Sequence, residues 1–383
     1  VRTTLPGGAT RTTVWRTDGR KQSETDETGN TTSYGYDALG RLTQVTQTAG
    51  TSLITAYGYD ELGNKVSQTD AEGRVTRWSY DATGRPVTRT LPNGAVEHFE
   101  YDASGNVTAH TGFDGRRTQY AYDSADRRIL TVYPDGSTLA LTYTATGQVA
   151  SQTDGRGTTR ITRDVLDRPL RIDQPDGSFL AYTYDAAGNI IARETPSGTT
   201  AYAYDGAGRL TQVTDTQGKP TAYTWAADGQ PTRIVHANGT ETRIEYDADG
   251  RVRQQADIVS ATQAVISATR YTLAGGLRVK AEVFDSGSTA SGTGSLTLAN
   301  PANSRAYEYD GAGRLVKETL TVRGSSDTRV TTYAYDRAGN RTSRSVVAPG
   351  VNVTTSYSYD TNDRLIQESR SSGGSIAYAW DAN

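Results

Sequence analysis

The chain repeats itself every 21 residues. Tyr59, Tyr80, Tyr101, Tyr122 and Tyr143 stand at that interval, and the first four each open a Tyr-Asp pair. With degenerate copies the register continues through Arg163, Tyr184, Tyr204, Trp225, Tyr246 and Tyr271. It resumes at Tyr309, Tyr335, Tyr359 and Trp380, and upstream it includes Trp15 and Tyr36. That makes about 17 copies, and a period of this length is the mark of stacked supersecondary units, none of which buries its apolar face alone. A catalytic site needs its residues once. A motif at this frequency belongs to the architecture.

One copy, 80–101, reads YDATGRPVTRTLPNGAVEHFEY. Two turn signals divide it, DATGR and LPNG, and the second recurs as YPDG at 133–136 and QPDG at 174–177. Proline presets the first central turn position, and the glycine after Asn or Asp supplies positive φ. Between the turns lie short runs of Val, Thr, Tyr and Ile, the strand formers. Strand, turn, strand, turn is a meander of β-hairpins. Helical spacing of apolar residues over three turns is missing. In Tyr-Asp-x-x-Gly the aspartate is expected to accept backbone N–H groups two or three residues on, and the glycine to take the left-handed conformation. The following position is Arg or Asn (Asn64, Asn106, Asn189, Asn340), hence polar and turn-facing. The repeat positions expected to carry the structure are Tyr36, Asp37, Gly40, Tyr59, Asp60, Gly63, Tyr80, Asp81, Gly84, Tyr101, Asp102, Gly105, Tyr122 and Asp123. They continue through Tyr184, Asp185, Gly188, Tyr204, Asp205, Gly208, Tyr246, Asp247, Gly250, Tyr309, Asp310, Gly313, Tyr335, Asp336, Gly339, Tyr359 and Asp360.

Cohesion has to come from an unusual source. Hydrophobic residues are 34% of the chain, against roughly 45–50%, counted with glycine, in ordinary globular proteins. There are 24 tyrosines but only 4 phenylalanines. Many copies carry aromatics two apart, as in Tyr34/Tyr36, Trp78/Tyr80 and Tyr202/Tyr204, which places both rings on one strand face. Stacked repeats are then expected to align two columns of rings, with Arg41, Arg85, Arg209 and Arg314 adding cation–π contacts.

Strand number sets the scale. About 34 strands at ~4.8 Å spacing make a ribbon of roughly 160 Å, longer than open sheets run without curling. Twist forces it to coil, and closure in one turn implies a diameter of about 50 Å, too wide for side chains to fill. The expected fold is an all-β repeat protein, a spiralling array of β-hairpins forming a curved, hollow shell wall. The whole of 1–383 reads as one array, and as a segment of a longer chain. The register breaks between Tyr271 and Tyr309, where the Ser/Gly-rich stretch 285–304 is expected to be a flexible loop insertion. Smaller insertions near 47–53, 323–328 and 348–352 are expected as surface loops.

Chemistry is sparse. Cysteine is absent, which removes disulfides and thiolate metal sites. No run of ~20 apolar residues is present, nor a signal peptide. A pI near 5.8 leaves no basic footprint for nucleic acid. The repeated aspartates sit in near-identical surroundings, so no pair is set apart for acid–base work. Asp247 and Asp249 before Gly250 are a fragment of a Ca²⁺ loop without its distal acidic ligand. His98, His110 and His236 lack metal-ligand spacing. The Asn-x-Ser/Thr sequons at Asn30, Asn106, Asn238, Asn340 and Asn352 are expected by coincidence in a chain this rich in Thr and Ser. No cofactor, no catalytic residue and no metal ligand are assigned.

GNTTSYGYDALGRLTQVT at 29–46 and TTAYAYDGAGRLTQVTD at 199–215 closely resemble the YD repeat of Rhs proteins, and the resemblance extends over essentially the whole chain. It implies a shell of spiralling hairpins around a large cavity, of the kind that holds a C-terminal toxin domain in bacterial polymorphic toxins and in the cocoon of insecticidal toxin complexes. Animal teneurins use a related shell for adhesion. The function so implied is structural encapsulation by a secreted or cell-surface, non-enzymatic protein. Its partners are a passenger toxin domain inside, flanking repeats or a partner shell chain, and delivery machinery. The alternative is a cell-surface carbohydrate-binding or adhesion module built on aromatic repeats. The D-P-x-G-x-x-x-G signature of autoproteolytic family members does not occur here, so the resemblance transfers no protease aspartates.

Overall fold

The structure is a computed structural model that describes residues 1–4, 8, 10–49, 51–274, 277–285, 289–291, 297–299 and 301–380. Among the described residues there are 36 strands and no helix, as the β-forming runs and the absence of helical spacing require. Along most of the chain each strand pairs antiparallel with the next, for example Val75–Tyr80 with Pro86–Thr90 and Phe179–Tyr184 with Ile190–Thr195, while Leu277–Phe284 pairs with Asn303–Tyr309. Thirty-four of the strands form one sheet. The exceptions, Thr289–Ser291 and Thr297–Ala299, pair with each other.

Most repeats contain the same irregularity. Pairing shifts register immediately before the motif aromatic, between Ser79 and Tyr80, Thr183 and Tyr184, and Ala203 and Tyr204. A three-residue loop with its last member in the left-handed region makes this bulge by construction. In the copy at 80–101 both turns are of this type, whereas Asp154–Gly157 and Thr195–Gly198 are two-residue loops. Gly84 N–H donates to Asp81 O, and Asp81 N–H donates to Arg85 O; at the other end Gly94 N–H donates to Leu91 O, and Leu91 N–H to Ala95 O.

The chain divides into two compact units, Val96–Glu241 and Val1–Ala95 with Thr242–Asp381. The first is the regular one. Its strands alternate half-buried and exposed positions, as in Pro220–Trp225 and Gly198–Tyr204, and its buried apolar residue is Ala109. The second carries longer strands, including Val265–Ala274 and Val351–Tyr359. It also holds a dry cluster of Ala256, Ile258, Val265, Ala268, Phe284 and Leu298.

The expected insertions resolve in two ways. Of the Ser/Gly-rich stretch 285–304, residues 286–288, 292–296 and 300 lie outside the described residues; its short hairpin places Leu298 in the dry cluster, 4% exposed. The addition at 323–328 is an exposed surface turn, as expected, between Leu315–Val322 and Thr328–Tyr335. Those near 47–53 and 348–352 instead lengthen the hairpins themselves, giving Leu42–Ala49 with Thr51–Tyr59 and Arg341–Ala348 with Val351–Tyr359. Adding residues in cross-strand pairs keeps every backbone group in the ladder, whereas a loop of that length leaves them to water.

Candidate functional site: corners, staples and the seam

Each motif aspartate opens its turn and closes it. Asp37 Oδ1 accepts the backbone N–H of Leu39 (3.0 Å) and of Arg41 (2.8 Å), while Oδ2 accepts Arg41 Nε at 2.7 Å. Asp205 repeats the arrangement with Ala207 and Arg209. Where Asn replaces Arg, its amide reaches the same oxygen, as Asn64 does to Asp60 at 2.9 Å and Asn189 to Asp185 at 2.9 Å. The backbone turn bond from aspartate N–H to the carbonyl four residues on forms at Asp37, Asp60, Asp81, Asp102, Asp123, Asp185, Asp205, Asp247, Asp310, Asp336 and Asp360. The backbone N–H of Arg41 and of Arg85 are the chief groups holding Asp37 and Asp81 below the ordinary carboxylate range. At Asp60, Asp102 and Asp185 it is chiefly the Asn amide, and at Asp123 chiefly the Arg127 guanidinium.

The glycines Gly40, Gly63, Gly84, Gly105, Gly188, Gly208, Gly250, Gly313 and Gly339 all have positive φ. Three corners place Asp there instead: Asp126, Asp167 and Asp363, with φ of 58°, 61° and 64°. Holding an L-residue there costs roughly 1–2 kcal/mol. Each of the three gains a bond to the preceding corner in return. Asp126 accepts from Asn106 Nδ2 at 2.7 Å and Asp167 from Thr146 Oγ1 at 2.9 Å, and Asp363 accepts from Asn340 Nδ2.

The motif tyrosine ends its strand and ties its repeat to the one before. Tyr80 OH donates to Lys65 O at 2.8 Å, Tyr122 OH to Val107 O at 2.8 Å, and Tyr184 OH to Pro169 O at 2.8 Å. Tyr36, Tyr59, Tyr204, Tyr309, Tyr335 and Tyr359 donate in the same way to Lys21, Leu42, Ile190, Arg278, Leu315 and Arg341. The acceptor is the first carbonyl after the preceding corner. Where the motif aromatic is Trp, indole N–H replaces phenol: Trp225 Nε1 donates to Leu210 O at 2.7 Å. Even the degenerate copy complies, with Arg163 Nη2 donating to Val149 O at 3.2 Å. The sequence analysis gave this phenol no partner. The available signal was that all of these occupants carry a donor and none is Phe; the four phenylalanines, Phe99, Phe113, Phe179 and Phe284, lie elsewhere in the repeat.

Arginine after the glycine makes the matching link forward. Arg41 Nη1 donates to Asp60 O, Arg209 Nη1 to Ala226 O and Arg314 Nη1 to Asp336 O, each at 2.9 Å. The guanidinium also lies over the next motif ring, Arg41 over Tyr59 at 4.8 Å and Arg314 over Tyr335 at 4.9 Å. The second ring column is likewise interleaved with cations, as with Lys65 over Trp78 at 4.1 Å and Arg341 over Tyr357 at 4.5 Å. Among the described residues the stacked ring pair is Phe99 with His110. The expected ladder of rings is therefore an alternation of rings and cations. At these copies stacking brings a ring beside the cationic side chain of a neighbouring corner rather than above another ring.

Other candidates resolve locally. Asp249 is bound by Arg251 Nη2 at 2.9 Å, which also holds Asp247, so the Ca²⁺-loop fragment is an ion pair. His110 Nε2 lies 3.1 Å from Glu97 Oε2.

A seam of long-range contacts then appears in the unit Val1–Ala95 with Thr242–Asp381. Late Tyr-Asp corners lie on the opposite-end turns of early repeats. Arg337 N–H donates to Glu72 Oε1 at 2.7 Å, and Asn93 N–H to Asn362 Oδ1 at 3.2 Å. Arg74, with its side chain 16% exposed, grips Asp363 at 2.7 Å and Asp70 at 2.8 Å. The partners are 265–289 residues apart in sequence, and the order is kept: 311–313 meet 26–32, 337–339 meet 45–57, and 361–363 meet 68–76 and 91–92. One groove of this seam is lined by Val45, Leu53 and Tyr57 together with Ala312 and Ala338.

Residues 152–321 match the teneurin YD-shell family model, and residues 17–52, 59–96 and 101–138 match the RHS repeat. Among solved structures the chain is similar to the complex TcdB2-TccC3-TEV, with 16% identity and a TM-score of 0.73 over 94% of this chain and 23% of that one. It is also similar to TcdB2-TccC3 without its hypervariable C-terminal region (17% identity, TM-score 0.73, 94% and 22%). The Photorhabdus luminescens Tc holotoxin pore gives a TM-score of 0.62 at 17% identity, over 94% and 22%. At such identity the likeness shows the fold. The chain spans under a quarter of the length of those solved chains, and no curated protein sequence matches it.

Proposed function

Starting from a chain that is an Rhs/YD-repeat protein, we propose that it is wall: a stretch of an encapsulating shell that keeps a toxin-type passenger domain enclosed until delivery, on an exported bacterial protein. The observation that carries this reading is the seam. Late corners seated in order on early turns leave rows of hairpins closed against one another, which a barrier to macromolecules needs and a ligand-binding solenoid does not. The rest of the structure supports a passive role. Side-chain groups at the corners are spent on the backbone: the aspartates on turn N–H groups, the tyrosines and arginines on carbonyls of neighbouring repeats. The likeness in fold to the Tc toxin complexes supports the same reading. Flanking repeats or a partner shell chain complete the enclosure, and delivery machinery engages it.

Limited proteolysis tests the proposal. A passenger domain joined to the array in its native position is expected to resist a protease that digests the free passenger, and to become sensitive when the seam is broken. A passenger equally accessible in both settings overturns it.

A further inference from the structure

The corner side chains of this fold are committed to backbone groups, and the groove inside the seam differs in that its polar side chains are not. The groove lies within the unit Val1–Ala95 with Thr242–Asp381. Its volume, about 400 Å³, falls in the range of small-molecule sites. One wall is the lengthened hairpin. Leu53, Thr55 and Tyr57 alternate along Thr51–Tyr59 and so share a face, and pairing sets Thr55 opposite Val45 and Leu53 opposite Gln47. The other wall is a pair of docked corners, whose Ala312 and Ala338 carry a single methyl each and leave the space unfilled.

Among the described residues, the side chains of Gln47 and Thr55 and the phenol of Tyr57 make no hydrogen bond within the protein. Charge is sorted as well. Arg74 holds Asp70 at 2.8 Å and Asp363 at 2.7 Å, and Asp310 holds Arg314 at 2.7 Å. Arg337 is the charged lining residue with no carboxylate beside it among the described residues. Its guanidinium lies 3.5 Å from Ser52 O, at the limit of hydrogen bonding, and it is the backbone N–H of Arg337 that engages Glu72.

We infer that this groove binds a sugar bearing a carboxylate, of the uronic-acid class. The carboxylate pairs with Arg337, which supplies charge-assisted N–H donors. Ring hydroxyls meet Gln47, Thr55 and the Tyr57 phenol, and the apolar face of the ring lies on Val45 and Leu53. An acyl chain suits the groove less, because it strips water from Gln47, Thr55 and Tyr57 without replacing their hydrogen bonds. A neutral sugar leaves the Arg337 charge without a partner. The inference concerns one groove and is independent of whether anything is enclosed.

The experiment is saturation-transfer difference NMR on the whole chain, with glucuronate as the probe and glucose and octanoate beside it. Glucuronate is expected to bind with a Kd of about 1–10 mM, and glucose and octanoate at least about tenfold more weakly. Arg337→Gln removes the charge and keeps the backbone N–H that engages Glu72, so protease resistance at 361–363 is expected to match the wild type. Its glucuronate affinity is expected to fall about tenfold, while Arg337→Lys, which keeps the charge, is expected to lie between the two. Thr55→Val, which replaces a hydroxyl by a methyl, is expected to weaken glucuronate with no change in that protease resistance. No saturable glucuronate binding below about 100 mM, glucose bound as tightly, octanoate bound more tightly, or a folded Arg337→Gln that binds like the wild type overturns the inference.

Discussion

Val96–Glu241 and the segment Thr242–Tyr359 are made from the same repeat and held together differently. In the regular region Ala109 is the one fully buried apolar residue among those described, and cohesion comes from aspartates closing turns and from tyrosine, tryptophan and arginine donors tied to carbonyls of adjacent repeats. In the later segment strands reach eight to ten residues, and Ile258, Phe284 and Leu298 are at most 4% exposed. The lesson is that the repeat needs no oily core. Its polar staples, each worth about 1 kcal/mol, recur at a density that suffices for a quasi-one-dimensional array, where neighbours contribute additively. A core forms only where longer strands give side chains room to meet.

The comparison predicts its own breaking points. Phe284→Ala empties the dry cluster and should cost about 3–5 kcal/mol, seen as lost amide-exchange protection across Val252–Phe284; a cost below about 1 kcal/mol would show the cluster to be incidental. Arg74→Ala leaves Asp363 and Asp70 without their guanidinium. With Asp363 partly exposed, the expected loss is about 1–2 kcal/mol, read as faster protease nicking at 361–363, with protection at Val96–Glu241 unchanged. Tyr184→Phe should cost about 1 kcal/mol by orphaning the Pro169 carbonyl, while Tyr184→Trp, which keeps a donor as Trp225 does, should cost less. Equal losses in the two would refute the staple.

Acid should separate the two regions most gently. Corner carboxylates such as Asp81, Asp123, Asp185 and Asp205 are lowered in the folded chain. Their contribution is complete above the unfolded carboxylate pKa of about 4 and is lost as pH falls through the lower folded values. Titration below about pH 4 is expected to release amide protection at the corners of Val96–Glu241 before it releases the Phe284 cluster. Simultaneous release would mean that the corners contribute little.

Much of this was legible from residues alone, because the relevant interactions are short. Asp37 accepts N–H groups two and four positions on, where two or three were expected, and Gly40 answers to its own φ; both lie within five residues of sequence. The strands and their order follow from the 21-residue beat. Three features were not legible. The carbonyl partner of Tyr184 lies 15 residues back, visible only once the repeats are stacked. The additions near 47–53 and 348–352 have the composition of loops, and only pairing partners turn them into strand.

The seam lies furthest from sequence. Which corner meets which turn depends on twist accumulated over the intervening strands, and a small change per strand moves the contact by a whole repeat. Composition, turn chemistry and period therefore determined what the unit is and that it must be stacked. The meeting of Asp363 with Arg74, 289 residues away in sequence, was decided only by the coiling of the sheet, since no local interaction records where a long ribbon returns to itself.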